Sequence, residues 1–392
     1  MGLKMVESKK YRVVFVSNFL NHHQLSLSQA LNEKTGGKYL FIATTPTHTE
    51  QKNLGYHEMN DKYDFVLKAY ESKENHEKAE QCAFDADVVI YGGVGRELLN
   101  KRLRKNKLTF KYFERLYKIE PKWYKKPYMF VKQFFANTIH SNLYLLCAGA
   151  YVADDYARTK TFLGKAYKWG YFPEVKKYES VDGLIEKKKT NTLLWAGRMI
   201  DWKHPEFAVK VARRLKSEGY NFVLNMIGIG EKHEEIENLI KEQGLCECVH
   251  LLGSMSPEKV REHMEESEIF MFTSDRQEGW GAVLNESMNS GCAIVADRMI
   301  GAAPYLIKDG ENGLMYDGSA DELYEKVKYL IDNEQVRKEY GKNAYQTMIN
   351  EWNAETAAQR LLNLAEELKN NKKCTLYKTG PCSVAEVHKR KK

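Results

Sequence analysis

The chain has 392 residues, 43% of them hydrophobic, which is enough apolar material for two ordinary cores rather than one. Its net charge of +7 is modest for this length, so it suggests an anionic ligand or surface without requiring nucleic acid. The seven cysteines are odd in number and scattered, which argues against the disulfide framework of a small secreted protein.

Strand-like and helix-like segments alternate along the first half of the chain. Apolar and β-branched runs predict strands at residues 11–16, 39–43, 87–91 and 144–147. The stretches between these runs have the length and polarity of helices. This alternation predicts an α/β fold with a parallel sheet covered by helices on both faces.

The sequence predicts neither a secretion signal nor a membrane-spanning segment. The apolar YRVVFV near the start is followed by polar residues and lacks a small-residue cleavage site. The longest apolar run, residues 143–153, falls short of the roughly 20 residues that span a bilayer. We therefore expect a cytoplasmic protein, with a peripheral place on the inner face of the membrane left open.

A second series of strands and helices follows a charged stretch that has few core residues. Its strands are predicted at residues 192–196, 221–227, 249–252, 269–273 and 293–296. The expected divisions are an N-terminal domain, a linker, a C-terminal domain, and a final helix with a basic tail, at residues 1–173, 174–190, 191–355 and 356–392. A return of the final helix to the N-terminal domain is left open, and the basic KRKK end is interpreted as a frayed tail.

The segment EGWGAVLNESMNSG, residues 278–291, begins in a loop and continues as a helix. The loop follows a predicted strand, so Glu278 lies at the ligand side of the sheet and Glu286 lies inside the helix. Gly279 and Gly281 let a ligand approach the backbone, and a helix N-terminus favours an anion. Two carboxylates on either side of bound phosphates can hold hydroxyl groups, which is the layout of a sugar nucleotide.

Two further loops follow predicted strands. In GRMIDWK, Gly197 makes a turn and is followed by Arg198 and Lys203, which suit phosphate oxygens. An exposed cation is more often merely solvated, and the position after a strand is what favours the functional interpretation. In MIGIGE, Gly228 and Gly230 offer bare backbone against which a base or a ribose can lie.

These loops together resemble a known family. GRMIDWK, MIGIGE, HLLGSMS and the two glutamates of EGWGAVLNE, seven residues apart, resemble the C-terminal domain of retaining GT-B glycosyltransferases of the large family four. The likeness is strongest over residues 191–316. It implies two Rossmann-like domains whose parallel sheets face a central cleft, an acceptor-binding first domain, and a nucleotide-diphospho-sugar donor bound mainly to the second. It implies no metal and no other cofactor.

The resemblance also implies roles for single residues. Arg198 and Lys203 would neutralise the diphosphate, and Glu278 would contact the donor sugar near the reacting centre; these three form the predicted catalytic set. Glu286 would hold the ribose hydroxyls. The remaining predicted donor-binding residues are Gly279, Trp280, Gly281, Gly228, Gly230, Leu252, Gly253, Asn18 and His22. Retention in this family is generally attributed to front-side attack, with the donor β-phosphate taking the acceptor's proton, so no protein nucleophile is assigned.

The first half of the chain matches the family less well. Many relatives carry a glycine pair after the first strand, where this chain has SNFLNHHQ. Asn18, His22 and His23 are candidates for binding the acceptor or the donor phosphate, and the competing interpretation is that His22 or Gln24 merely caps a helix. Where relatives often place a histidine after the fourth strand, the segment LTFKYFERLYK offers Glu114 and Arg115 instead, which leaves the acceptor-side residue open.

Residues 96–132 are strongly basic and aromatic. They contain 13 Lys or Arg against 3 Asp or Glu, with eight aromatic residues interleaved from Phe110 to Phe130. This composition suits the headgroup zone of an anionic membrane and favours a lipid-linked acceptor. In the competing interpretation the aromatic side chains pack inward and the lysines are solvated. A nucleic-acid partner is not expected, because no binding module accompanies the patch.

Three other functions compete with this interpretation. A nicotinamide dinucleotide oxidoreductase would use the glycines of YGGVG, residues 91–95, with Glu114 downstream, but Leu98 stands at the position of the third glycine. A non-catalytic sugar-nucleotide-binding module is compatible with the altered first half. A metal-dependent transferase would need a D-x-D at the end of a strand, whereas Asp85 and Asp87 precede one.

No metal site is expected, because Cys246 and Cys248 lack the second pair of ligands that zinc requires. The sequence therefore predicts a cytoplasmic, metal-independent, retaining glycosyltransferase. It would move a sugar from a nucleotide-diphospho-sugar to a hydroxyl of a glycan or lipid-linked acceptor in cell-surface polysaccharide synthesis.

Overall fold

The computed structural model describes residues 10–47, 58–370 and 373–387. Its first sheet is parallel throughout and has the strand order β3-β2-β1-β4-β5-β6-β7. The strands are β1 (Val13–Ser17), β2 (Tyr39–Ala43), β3 (Val66–Lys68), β4 (Val88–Tyr91), β5 (Thr109–Phe113), β6 (Leu143–Ala148) and β7 (Ala166–Trp169). The strands β1, β2, β4 and β6 are buried along their whole length, as expected for a sheet covered on both faces.

The second sheet is also parallel throughout and has the order β10-β9-β8-β11-β12-β13. Its strands are β8 (Lys189–Ala196), β9 (Val223–Ile227), β10 (Val249–Leu251), β11 (Ser267–Phe272), β12 (Ala293–Asp297) and β13 (Leu314–Tyr316). The predicted α/β class with two parallel sheets is confirmed.

Helices connect the strands and cover the sheets. Those within the described residues are α1 (His22–Lys34), α2 (Lys73–Asp85), α3 (Asn100–Arg104), α4 (Lys126–Thr138), α5 (Val152–Ala157), α6 (Val181–Glu186), α7 (Pro205–Ser217), α8 (His233–Glu242), α9 (Pro257–Glu266), α10 (Ala282–Asn289), α11 (Ala303–Leu306), α12 (Ala320–Asp332), α13 (Glu334–Asn350) and α14 (Ala354–Asn370). None of the helices in this part of the chain has both the length and the apolar character needed to cross a membrane.

The segment that connects the two sheets contains a helix that packs against the rest of the protein. The stretch predicted as a linker, residues 174–190, contains α6 and the first residues of β8. Leu184 and Ile185 of α6 are buried, and the Ile185 side chain lies against Gly291 and Gly341. The charged composition of this stretch predicts few core residues, yet two of its residues are buried and pack the segment against the second domain.

The chain returns to the first sheet at its C-terminal end. Helix α14 packs against α1, where Lys34 and Glu355 form an ion pair of 3.1 Å. The following segment runs antiparallel along β7, with hydrogen bonds of 2.8 Å from the Cys382 amide to the Lys168 carbonyl and 2.7 Å from the Lys168 amide to the Ser383 carbonyl. This pairing covers the edge of the sheet. The basic KRKK end lies outside the described residues.

Candidate active site

The loops that follow β8 and β11 are held together at one edge of the second sheet. These strands are parallel neighbours, so their carboxyl ends meet at that edge. The Thr273 hydroxyl donates a hydrogen bond of 2.6 Å to the Lys203 carbonyl, and the Asp275 amide donates one of 2.9 Å to the Trp202 carbonyl. These bonds bring the predicted cationic loop beside the predicted acidic loop.

Lys203 and Glu278 form an ion pair at this junction. The Nζ atom of Lys203 donates to Oε2 of Glu278, and the Ser274 hydroxyl donates to the same oxygen at 3.0 Å. The two side chains are only 12% and 13% exposed. Because so little solvent reaches the pair, it is stronger than a pair at the surface. A phosphate that bound beside Lys203 would compete with Glu278 for its ammonium group.

Arg198 lies in the loop of Lys203, but its side chain has no polar partner among the described residues. Its side chain is exposed and forms no hydrogen bond or ion pair with any other described residue. The backbone beside it is fixed, because the Met199 amide donates a hydrogen bond of 3.0 Å to the Ile229 carbonyl. Arg198 therefore presents a free guanidinium from a held loop.

Helix α10 begins close to Glu278 with an uncapped N-terminus. Gly281 precedes the helix with a φ of +93°, and a Cβ there would lie 2.7 Å from the Phe272 ring, so the position requires glycine. As a glycine, it provides no side-chain hydrogen bond to the first-turn amides. The partial positive charge of this helix end is left for an anion.

Glu286 lies inside α10, and its carboxylate has no hydrogen-bond or ion-pair partner within the residues that the structure describes. Burial raises the pKa of the Glu286 carboxyl above its usual value, and the Arg261 guanidinium partly opposes this rise. A poorly solvated carboxylate without a partner is well suited to accept hydrogen bonds from the neutral hydroxyls of a ribose.

The glycines of MIGIGE make room for the neighbouring loop. A Cβ on Gly228 would lie 1.9 Å from the Gly197 carbonyl oxygen, and one on Gly230 would lie 2.3 Å from the Met199 carbonyl oxygen. Close packing between two ligand-side loops thus accounts for both glycines. Gly253, whose carbonyl accepts a 2.7 Å hydrogen bond from the Gly228 amide, is different, because nothing lies within 4 Å of its missing Cβ. The half-buried Leu252 and Gly253 therefore border open space.

The Trp280 side chain is buried rather than presented to a ligand. It is 1% exposed, and its indole N–H donates a 2.9 Å hydrogen bond to Asn285. Gly170, which follows β7, lies directly against the ring, because a Cβ there would meet it at 2.2 Å. In this conformation Trp280 packs the second sheet's loop against the first, so any part it plays in donor binding is indirect.

Three glycines interlock where the two domains meet. A Cβ on Gly149, after β6, would lie 2.7 Å from the Gly279 carbonyl oxygen, and a Cβ on Gly301 would lie 1.8 Å from the same atom. Hydrogen bonds reinforce this contact, including one of 2.8 Å from the Ala150 amide to the Gly301 carbonyl. The loop that carries Glu278 is thus fixed by backbone atoms of both domains.

Gly301→Ala should disturb this contact, since the new Cβ would collide with backbone that no side-chain rotation can relieve. We expect a loss of stability of about 1–3 kcal/mol, typical of overpacking, and a parallel loss of activity. Gly183→Ala is the matched control, because its Cβ would make an ordinary 3.6 Å contact with Ser180. Thermal unfolding of both variants measures the difference, and equal melting temperatures would show that the contact is absent in solution.

The glycines of YGGVG are also explained by packing. A Cβ on Gly93 would lie 2.6 Å from the Phe113 ring, and one on Gly95 would lie 2.6 Å from Val16. A short 3-10 helix, Arg96–Leu99, follows them rather than the longer helix that a dinucleotide-binding turn introduces. The feature that suggested an oxidoreductase thus has a local structural cause.

The aspartates of the D-x-D sequence do not form a site together. Asp85 accepts a hydrogen bond of 2.7 Å from Gln81, and Asp87 pairs with Lys10 at 2.8 Å. Over the described ranges, no three His, Cys, Asp or Glu side chains are grouped so that they could hold a metal ion.

Comparison with known proteins identifies the second half of the chain. Residues 177–347 match the family described as glycosyl transferases group 1. They form a group 1 glycosyltransferase domain. It includes the Lys203–Glu278 pair, Arg198 and Glu286, so the site described above lies within the family's own domain.

Relatives and solved structures agree with this assignment. An uncharacterized glycosyltransferase of Methanocaldococcus jannaschii is 30% identical over 203 residues, which cover 50% of this chain and 51% of that protein. The N-acetylgalactosamine-N,N'-diacetylbacillosaminyl-diphospho-undecaprenol 4-alpha-N-acetylgalactosaminyltransferase of Campylobacter jejuni is 31% identical over 158 residues, 40% of this chain and 41% of that protein. The chain thus spans about half the length, or less, of the curated relatives it matches.

The fold of both domains has solved counterparts. The crystal structure of Anabaena Alr3699/HepE in complex with UDP superposes with a TM-score of 0.67 at 14% identity, covering 92% of this chain and 100% of that one. The two parallel sheets and this likeness confirm the GT-B fold that the resemblance implied.

In the first domain of this GT-B fold, the predicted polar loop has mainly structural contacts. The Asn18 side chain accepts a 3.1 Å hydrogen bond from Ser17, and its carbonyl accepts bonds from the Thr44 and Thr45 amides. Asn21 caps α1 by accepting a 3.1 Å bond from the His23 amide, so neither His22 nor Gln24 is the cap.

The two histidines of this loop lie near the domain boundary. Burial lowers the pKa of His22, and it lowers that of His23 to about 3, so the His23 ring is neutral at pH 7. The His23 ring stacks on Tyr171 at 5.5 Å, and its Nδ1 atom is buried without a hydrogen-bond partner among the described atoms. The Nδ1 atom of His23 thus has an unused hydrogen-bonding capacity beside Tyr171 at the domain boundary.

Glu114 faces the group 1 domain from the first sheet. It accepts hydrogen bonds from the Tyr171 hydroxyl and, at 2.6 Å, from Lys118, and a Cβ on Gly279 would lie 2.1 Å from its Oε2 atom. Glu114 thus stands next to the loop of Glu278. Its neighbour Arg115 instead forms a nearly buried ion pair of 3.6 Å with Asp155. Tyr171 was not predicted; it follows β7 at the ligand side, and that strand has no clear sequence pattern.

Proposed function

We propose that the chain is a retaining glycosyltransferase that moves a sugar from a nucleotide-diphospho-sugar to a hydroxyl of a glycan or lipid-linked acceptor in cell-surface polysaccharide synthesis. The observation that carries the proposal is the arrangement around the Lys203–Glu278 pair. Arg198, with a free guanidinium, lies in the loop of Lys203. Helix α10, with its uncapped N-terminus and the unpaired, half-buried carboxylate of Glu286, follows Glu278. The positive groups suit the diphosphate of a nucleotide-diphospho-sugar, and the carboxylates suit the hydroxyl groups on either side of it.

The donor would bind along this arrangement. Its diphosphate would lie between Arg198, Lys203 and the N-terminus of α10, where cations and amide groups converge. Glu286 would accept hydrogen bonds from the ribose, and the open space beside Gly253 would take the base. When the phosphate takes Lys203, Glu278 is released to accept hydrogen bonds from the donor sugar.

Transfer would then need no protein nucleophile. The acceptor hydroxyl oxygen bonds to the anomeric carbon from the face that the diphosphate leaves, so the configuration is retained. The bond between that carbon and the phosphate oxygen breaks, and a β-phosphate oxygen takes the hydroxyl proton. The cations stabilise the negative charge that develops on the diphosphate, which is the main catalytic task in such a reaction.

The relatives support the class of substrates. The Campylobacter jejuni relative is named for the transfer of N-acetylgalactosamine to an acceptor on diphospho-undecaprenol, and the Anabaena structure contains UDP. We propose a nucleotide sugar as donor and a glycan on a lipid carrier as acceptor on this basis, with the protein acting in the cytoplasm.

A panel of nucleotide sugars tests the donor proposal by thermal shift. A ligand present at a hundred times its dissociation constant stabilises the folded state by about 2.7 kcal/mol, so the correct donor should raise the melting temperature measurably. A nicotinamide dinucleotide serves as the comparison ligand. If the dinucleotide stabilised the protein and no nucleotide sugar did, the result would contradict this proposal and favour an oxidoreductase.

Turnover with the donor found in this way tests the mechanism. We expect undiminished transfer in EDTA and a product with the anomeric configuration of the donor, read by NMR. A strict requirement for Mn²⁺ would contradict the metal-independent mechanism. Donor binding without transfer to any acceptor would favour the non-catalytic binding module. The altered first half of the chain, with Glu114 where relatives often have a histidine, keeps this module as the second candidate.

A further inference from the structure

The basic and aromatic segment at residues 96–132 divides into two parts in the structure. Phe110, Tyr112 and Tyr117 are buried, as in the interpretation that places the aromatic side chains inside. Trp123 and Tyr128, by contrast, are 81% and 68% exposed. The second part, which continues through helix α4, therefore needs another explanation.

One face of α4 is held on the body of the protein. Arg96 donates a 2.7 Å hydrogen bond to the Ala136 carbonyl, and Asn137 is buried and lies 3.4 Å from the ammonium group of Lys111. Phe130 and Phe134 stack at 5.9 Å and are half-buried. The helix thus already has an inward face with its own packing.

The opposite face of α4 is also apolar. Exposed side chains spaced three or four residues apart follow one side from the preceding 3-10 helix, Trp123–Lys125, to the residue after α4. They are Tyr124 (53%), Tyr128 (68%), Val131 (51%), Phe135 (61%) and Ile139 (64%). A surface helix normally presents polar residues to water. A second apolar face that is exposed to solvent therefore indicates a surface that binds an apolar partner. We call these five residues, with Trp123, the outer stripe.

The segment that carries the outer stripe is cationic. Residues 121–140 contain four lysines, Lys122, Lys125, Lys126 and Lys132, and no Asp or Glu. All four are exposed, and none of them forms an ion pair with another residue that the structure describes. The binding partner of the stripe should therefore offer apolar contact and negative charge together.

We propose that the outer stripe docks on the surface of an anionic lipid bilayer. Aromatic side chains sit favourably at the level of lipid headgroups, and lysines beside them attract acidic headgroups. A second copy of this chain fits less well, because a symmetric interface through the stripe would place the four lysines of one copy against those of the other.

The outer stripe lies close in the chain to the cleft between the two domains. Glu114, which faces Gly279 at the cleft, is nine residues before Trp123, so the chain between them spans at most about 30 Å. A bilayer bound to the stripe would therefore lie near the acceptor side of the cleft. Docking itself depends on neither donor nor turnover, so its test stands apart from that of the proposed function.

The experiment measures co-sedimentation of the full chain with two kinds of vesicle, phosphatidylcholine alone and equal parts phosphatidylcholine and phosphatidylglycerol. We expect binding to the anionic vesicles that weakens as salt rises. Tyr128→Ser with Phe135→Ser, and Lys125→Glu with Lys126→Glu, should each lower the partition coefficient at least about tenfold. Because all four residues are exposed, the melting temperature should stay unchanged.

Two matched controls carry the same changes at exposed positions elsewhere. Leu163→Ser with Leu376→Ser replaces residues that are 62% and 53% exposed, and Lys187→Glu with Lys378→Glu makes the same change in charge. Both should bind as the unaltered chain does. Equal losses in controls and stripe variants, or equal binding to both kinds of vesicle, would overturn the proposal. A dimer that the stripe variants dissociate, with vesicle binding unchanged, would assign the stripe to a second copy instead.

Discussion

Replacing Glu278 with glutamine or alanine should remove measurable sugar transfer, a loss of at least about a hundredfold in kcat. The carboxylate has two predicted tasks, and in both its full negative charge binds more strongly than the amide oxygen of a glutamine would, while alanine has no acceptor at all. The carboxylate fixes Lys203 before the donor binds, and it accepts hydrogen bonds at the donor sugar afterwards. Initial rates with saturating donor measure the loss, because it should appear in kcat rather than only in KM.

The two substitutions should differ in their effect on stability. Alanine leaves a poorly solvated ammonium group without its partner, and breaking a buried pair in this way costs up to about 3–5 kcal/mol. Glutamine keeps an oxygen that can accept bonds from Lys203 and Ser274, so it should cost much less. An inactive but stable Glu278→Gln would therefore separate the catalytic task from the structural one.

Glu266→Gln provides the control for this prediction. Glu266 also pairs with a lysine, Lys189, at 2.7 Å, but both side chains are well exposed and lie away from the ligand side of the sheet. We expect unchanged kcat and a change in stability below about 1 kcal/mol. Transfer by Glu278→Gln at the rate of Glu266→Gln would contradict the role assigned to Glu278.

The sequence predicts most of the parallel architecture, because fully buried strands carry a strong local signal. The predicted strand at residues 39–43 has the observed bounds, and those at 144–147 and 293–296 lie within one residue of theirs. Four strands are not predicted. β3 and β13 have three residues each, too few for a periodic pattern. β5 (TFKYF) is largely buried, but Lys111 interrupts its apolar run.

β7 escaped prediction for another reason. Its AYKW contains Lys168, whose amide and carbonyl both pair with the C-terminal segment more than 200 residues later. A local window holds no information about such a partner. Without a predicted β7, the sequence indicates no ligand-side loop after it, and that loop carries Tyr171.

For the candidate site, the rule that ligands bind after parallel strands locates the loops of Arg198 and Glu278 but not their contacts. From the sequence, the glycines of this region are predicted to let a ligand approach the backbone. Gly228, Gly230 and Gly279 are instead close to backbone or side chains from other loops. Spacing along one segment predicts which residues are exposed at a strand end, whereas contacts between domains depend on both halves of the fold.

Arg198→Ala should weaken donor binding about tenfold to a hundredfold, the usual effect of losing hydrogen bonds to a charged group. The folded protein should keep its melting temperature, since the exposed guanidinium contacts no other described residue. Lys203→Ala should weaken binding as well but should also lower the melting temperature, because Glu278 loses its partner. Titration calorimetry with the donor measures both affinities.

Arg213→Ala is the matched control, since Arg213 is also exposed and unpaired within the described chain but lies on α7, away from the strand ends. Its affinity for the donor should equal that of the unaltered protein. The double variant Arg198→Ala with Lys203→Ala should lose less than the sum of the single free-energy losses if both cations contact one diphosphate, since neighbouring groups that share a partner are not additive. Equal affinities for Arg198→Ala and Arg213→Ala would remove the diphosphate from this loop, and with it the assigned direction of the donor along the cleft.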